Sequence, residues 1–218
     1  MLRAVIFDFD GLILETETPE IRSWEEVFRH YGKEYPESYW RFLLGRGAEQ
    51  VMKQPCDLLL DMGVETDRHE VLRMRGHVLS RMLAELEIMP GVVDRIREAR
   101  DLGLKLGVAS SSMHHWVDGH LDRLGLLPLF DQIACADDVQ RAKPFPDLYL
   151  LCCSRLGVSP WNAIALEDSA NGAKSARDAG LYVVAVPTYL TIREELDADS
   201  IVDSLEEVSL AKMVGASR

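Results

Sequence analysis

At 218 residues the chain has room for one substantial core, or for a core and a small second domain. A net charge of -12 argues against nucleic acid and anionic membranes as main partners, and no apolar run approaches the ~20 residues that span a bilayer. The first apolar segment meets Asp8 too early for a signal peptide, and Cys56, Cys135, Cys152 and Cys153 lack C-x-x-C spacing, so the sequence reads as a cytoplasmic protein with reduced thiols.

Ala4-Val5-Ile6-Phe7 is short, apolar and rich in β-branched and aromatic residues, which predicts a buried strand. It ends in Asp8 and Asp10, followed by Gly11. Two carboxylates at the end of a core strand are expensive to desolvate and repel each other, so a compensating charge is expected. Hard oxygen ligands suit Mg²⁺; the plain alternative is a solvated turn after the strand.

From about Thr18 to Leu86 every pattern is helical. Thr18-Pro19 reads as an N-cap with proline at the first helical position, and Ile21, Trp24, Val27, Phe28 and Tyr31 recur at helical spacing before Gly32. A second helix is expected over Glu37 to Leu44, ending at Gly45. A third is expected over Ala48 to Met62, kinked near Pro55. Asp67 and Glu70 resemble a capping box that opens a fourth towards Leu86. Trp24 and Trp40 fit the core of this segment.

Alternation begins after Pro90-Gly91. Helices around Ile96, Val117, Leu156 and Ala176 alternate with strands at Leu106-Ala109, Ile133-Cys135, Ala163-Leu166 and Tyr182-Val186. This β-α repeat implies an α/β fold, a doubly wound parallel sheet with a small helical domain inserted after the first strand. The expected boundaries are residues 1–14 with 88–218 for the sheet domain and 15–87 for the insertion. Ligands of such sheets bind outside the carboxyl ends of the strands.

Asp8 and Asp10 follow one strand, Ser110 and Ser111 a second, and Glu167 and Asp168 a third, while Lys143 lies in the loop K-P-F-P-D. Each has a plain alternative: Ser110 as a helix N-cap, Lys143 as a solvated lysine, Asp168 or Ser169 as a cap. Together, carboxylates, hydroxyl and ammonium at one sheet edge suit Mg²⁺-assisted phosphoryl transfer.

Four ordered motifs carry a resemblance: D-F-D-G from Asp8, V-A-S-S-S ending at Ser112, K-P-F-P-D from Lys143 and L-E-D-S-A-N-G from Leu166. They resemble the haloacid dehalogenase superfamily, in the helical-cap phosphatase branch and its β-phosphoglucomutase-like subgroup. The resemblance implies that Asp8 is the nucleophile, forming an aspartyl-phosphate, and that Asp10 is the general acid and then the base. It implies Mg²⁺ on the Asp8 carboxylate, the Asp10 carbonyl and Asp168, with Glu167 in support. Ser110, Ser111 and Lys143 would hold the phosphoryl group.

Two positions depart from the subgroup: Glu15 stands where Asp is usual, read here as a neutral surface change, and Glu20 lies near the histidine of the mutases. The segment L-L-G-R-G resembles the loop by which the cap reaches the substrate, which would give Gly45 and Arg46 a role in specificity; a solvated arginine is the alternative. His114 and His115 read as surface residues at a helix start. The expected function is a monomeric Mg²⁺-dependent phosphatase of a small phosphorylated metabolite, with a phosphosugar mutase as the alternative. A dehalogenase would lack Asp10, and a signalling receiver domain would carry its acidic pair before its phosphorylated Asp.

Overall fold

The computed structural model describes residues 1–43, 53–191 and 193–216. All four side chains of β1 (Ala4–Phe7) are buried, because both of its edges and both of its faces are covered. It pairs in parallel with β2 (Lys105–Ala109) on one side and β4 (Ala163–Glu167) on the other, with Phe7 opposite Val108 and Leu166. β3 (Gln132–Ala134) extends the sheet beyond β2, while β5 (Tyr182–Ala185) and β6 (Ser200–Ile201) extend it beyond β4. Every pairing is parallel, so the carboxyl ends of the strands share one edge.

Helices α5 (Val92–Asp101), α6 (His114–Arg123), α7 (Asp147–Leu156), α8 (Ala170–Ala179) and α9 (Leu210–Ala216) belong to the same unit. The pleat sends Ala4 and Ile6 into a cluster with Leu148, Cys152 and Leu156 of α7 and Ala173 and Ala176 of α8. On the opposite face Phe7 meets Phe130 edge-on, with ring centroids 5.8 Å apart. The four cysteines are buried and free. The two-residue β6 and α9 have no counterpart in the periodicity, being too short to show one.

The chain divides into two compact units, Met1–Leu14 with Glu87–Arg218, and Glu15–Leu86. The second consists of α1 (Glu17–His30), α2 (Glu37–Leu43), α3 (Pro55–Asp61) and α4 (Arg68–Ala84). Trp24, Val27, Phe28, Leu59 and Val71 form its core, with Trp40 packed against them.

Three local expectations need correction. Helix α1 starts at Glu17, not after Thr18: the Glu15 carboxylate accepts from the Thr18 N–H at 3.0 Å, which gives Glu15 a structural role rather than a neutral one. Pro19 then falls inside the first turn, where its missing N–H is not needed. Pro55 does not kink a helix; it begins α3, with its φ preset for the first position. The Asp67 side chain accepts from Glu70 N–H at 2.8 Å and caps α4. Gly45, Arg46 and the proposed start at Ala48 lie outside the described residues.

Candidate active site

The register sets Asp8 and Ser110 just past the ends of β1 and β2, and Glu167 at the last position of β4, directly before Asp168. Asp8, Glu167 and Asp168 are buried, and they offer carboxylate oxygens within 4.8 Å of one another. Gly11 lets them close up. Its φ is +89°, and a Cβ there would lie 2.1 Å from Asp168 Oδ2. Gly172, in the first turn of α8, does the same for Glu167: a Cβ would stand 1.9 Å from Oε2.

Lys143, 6% exposed at its side chain, donates to Asp8 Oδ1 and, at 2.7 Å, to Glu167 Oε1. The hydroxyl of Tyr149 on α7 donates to the same Glu167 oxygen, and Asp168 N–H approaches Oε2 at 3.3 Å. Burial raises the Asp8 carboxyl to about 8, Glu167 and Asp10 adding to the rise and Lys143 opposing it. Burial pulls the Lys143 ammonium down, but Asp8 and Glu167 outweigh it and hold it above its ordinary value. When all three carboxyls are ionised, the single ammonium leaves two negative charges unbalanced. A divalent cation with a preference for hard oxygen ligands fits that donor set and that charge.

Asp10 is held differently. Its Oδ1 accepts from Trp116 Nε1 at 3.0 Å, and its Oδ2 accepts from Ser112 Oγ at 2.6 Å and Ser110 Oγ at 3.4 Å. Ser110 is fully buried and its Oγ also accepts from Ser112 N–H at 3.0 Å, while Ser111 is exposed. Ser169, rather than Asp168, caps α8 through Gly172 N–H at 3.1 Å. Thr191 Oγ1 donates to the Asp168 carbonyl at 2.9 Å. Glu20, in the helical unit, forms an ion pair with Arg75, whose guanidinium lies 5.1 Å from the Trp24 ring centroid.

Sequence reasoning missed Tyr149, Ser112 and Trp116. Tyr149 reads as one apolar position of α7; its signal is a phenol on the helix that follows the lysine loop. Ser112 hides among three serines, and Trp116 looks like helix core.

Residues 5–186 match the family of haloacid dehalogenase-like hydrolases. The chain belongs to it. Within the haloacid dehalogenase-like hydrolases it falls in the group around β-phosphoglucomutase and CbbY. It is 40% identical over 217 residues to YhcW of Bacillus subtilis (strain 168), covering 98% of this chain and 97% of that one. It is 32% identical over 183 residues to the fructose-1-phosphate phosphatase YqaB of Escherichia coli (strain K12), covering 84% and 95%. Among solved structures, CbbY of Rhodobacter sphaeroides in complex with xylulose-(1,5)bisphosphate superposes with a TM-score of 0.72, at 29% identity over 96% of this chain and 97% of that one. Family membership implies a divalent metal, which the acidic cluster accommodates. Among the described residues no helix is long and apolar enough to cross a membrane.

Proposed function

We propose that the protein is a Mg²⁺-dependent phosphatase of a small phosphorylated metabolite, with a sugar phosphate as the preferred class. The observation that carries the reading is the buried Asp8 carboxylate at the end of the central strand, paired with Lys143 and grouped with Glu167 and Asp168. The relatives acting on phosphorylated sugars supply the substrate class.

In the first half-reaction an Asp8 oxygen bonds to phosphorus, the bond from phosphorus to the leaving alcohol breaks, and Asp10 gives that oxygen its proton. In the second, Asp10 takes a proton from water and the water oxygen bonds to phosphorus. The acyl-phosphate bond then breaks, restoring the Asp8 carboxylate and releasing inorganic phosphate. Lys143 and Ser110 hold phosphoryl oxygens, and Lys143 also screens Asp8 from Glu167. Asp8, Asp168 and the Asp10 carbonyl would hold Mg²⁺, with Glu167 in support. When bound, the ion neutralises phosphate charge in the transition state.

Water is the acceptor in this reading. A mutase has to shield its aspartyl-phosphate, and α1 offers no histidine before His30, while Glu20 is already engaged with Arg75. A panel of phosphate monoesters tests it, with β-glucose 1-phosphate and a trace of the 1,6-bisphosphate included. Inorganic phosphate without isomerised sugar supports the proposal. Isomerisation many times faster than phosphate release would overturn it.

A further inference from the structure

The geometry points to Trp116 and Ser112 as positioning residues that fix the Asp10 carboxylate and leave Oδ2 as the oxygen that exchanges the proton. This inference rests on the reading of Asp10 as acid and base. An indole N–H only donates, so the Oδ1 that accepts from Trp116 Nε1 at 3.0 Å remains an acceptor throughout the cycle. A proton on Oδ1 would weaken that bond. Oδ2, in contrast, faces the hydroxyls of Ser112 at 2.6 Å and Ser110 at 3.4 Å. A hydroxyl can turn from donor to acceptor, so Oδ2 tolerates both protonation states. Oδ2–H therefore gives its proton to the leaving alkoxide, and Oδ2 takes the next one from the attacking water.

The indole is itself braced. One turn further along α6, the His120 ring meets it in a T-shaped contact with centroids 4.5 Å apart. His120 lies 6.2 Å from the ring of Phe9, the neighbour of Asp10 in the chain. At the first turn of α6, His114 bonds to Asp118 at 3.1 Å and to Asp138 at 2.8 Å. Helix α6 thus meets both Phe9 and Asp10 along one face and is tied down at its start. Asp10, Ser110, Ser112, Trp116 and His120 all belong to the sheet unit.

The test compares Trp116→Phe, which removes the N–H and keeps a ring, with wild type in the full chain with Mg²⁺. The substrates are p-nitrophenyl phosphate, whose leaving group needs no proton, and fructose 1-phosphate or the alkyl phosphate that the panel shows to turn over fastest. A hydrogen bond to a charged group predicts a roughly 10-fold fall in kcat on the alkyl phosphate, with KM within about twofold. The p-nitrophenol burst should keep its rate within about twofold while the steady state after it slows, because only the second step then needs Asp10. In an Asp10→Asn background, adding Trp116→Phe should change turnover by less than about twofold. Equal loss of burst and steady state, or an additive loss in that background, would make Trp116 a packing residue and overturn the inference. Ser112→Ala removes a half-buried hydroxyl and gives the same comparison should Trp116→Phe not fold. An Asp10→Asn protein with wild-type turnover would overturn both the inference and the reading beneath it; loss in Asp10→Asn with no effect of either positioning variant overturns the inference alone.

Discussion

The sheet unit carries two charged clusters built from similar residues, and they are balanced in opposite ways. Around Asp8, Glu167 and Asp168 the side chains are buried, and the bound ammonium of Lys143 leaves negative charge in excess. Around Asp138 the carboxylate has its own counter-charge: Arg155 donates to both carboxylate oxygens, at 2.9 and 2.8 Å, and His114 bridges Asp138 to Asp118. The hydrogen bonds from Arg155, with those from Cys135 N–H and His114, hold Asp138 well below the usual carboxylate range. Burial pulls the His114 imidazole down, but its bonds to Asp138 and Asp118 outweigh that and raise it. His114, Cys135 and Asp137 also stand at metal-binding distance. Yet both imidazole nitrogens already face carboxylates, and burial, with Asp118 and Asp137 behind it, pushes the Cys135 thiol up to about 12. A protonated thiol is a poor ligand. Proximity of ligand types therefore does not by itself define a metal centre.

The sharpest break in the comparison comes at Asp8. Asp8→Asn should lower phosphate release by at least about 10⁴-fold, and in chelator it should leave the melting temperature unchanged or higher, because one of three crowded carboxylates is neutralised. A protein that both melts lower in chelator and keeps its activity would contradict the charge count. Chelation of wild type should abolish turnover and Mg²⁺ restore it, and Mg²⁺ should also raise the melting temperature of the Asp8 cluster's unit by mass action. Asp168→Ala should shift both responses to higher Mg²⁺, as read by calorimetry as well as by turnover. In chelator, Lys143→Met should destabilise the protein by about 3 kcal/mol in urea titrations, since a buried pair is broken on one side.

The balanced cluster should respond less. Arg155→Met should cost roughly 1–2 kcal/mol, as the bonds it makes are partly exposed. The pH dependence has a definite sign. His114 is raised from 6.5, so its contribution is present below 6.5 and is lost as pH rises through its folded value. Asp138 is lowered from 3.8, so its contribution is present above 3.8 and is lost as pH falls through its folded value. The melting-temperature gap between wild type and His114→Gln should therefore be widest between those two ordinary values and shrink above them. A gap that widens from pH 6 to pH 9 would contradict the bridge.

The unbalanced cluster was legible in the sequence because each of its carboxylates follows an apolar strand, and strand ends of a parallel sheet share an edge. Helices α7 and α8, expected around Leu156 and Ala176, were legible because an apolar stripe and a following glycine mark them. The balanced cluster was not legible: His114 reads as a surface residue, and its bonds to Asp138 depend on how β3 and α6 meet. Tyr149, Ser112 and Trp116 act through single polar atoms at the tips of side chains that otherwise count as apolar or as turn residues. Their partners lie 18 to 106 positions away, beyond the reach of any local pattern.

The central place of β1 also bears on how the chain is made. Its partner β2 begins 98 residues after Phe7, at Lys105, and its other partner β4 begins at Ala163. At about 5–20 residues per second, the apolar Ala4–Phe7 segment waits on the order of 5–20 s at the ribosome before either neighbour exists. During that interval the Glu15–Leu86 unit is complete and holds its own core residues, from Trp24 to Val71. Synthesis thus delivers a unit able to bury its apolar surface while the future centre of the sheet stands exposed. A chaperone that shields short apolar segments on nascent chains would have to hold β1 until the second half of the sheet had emerged.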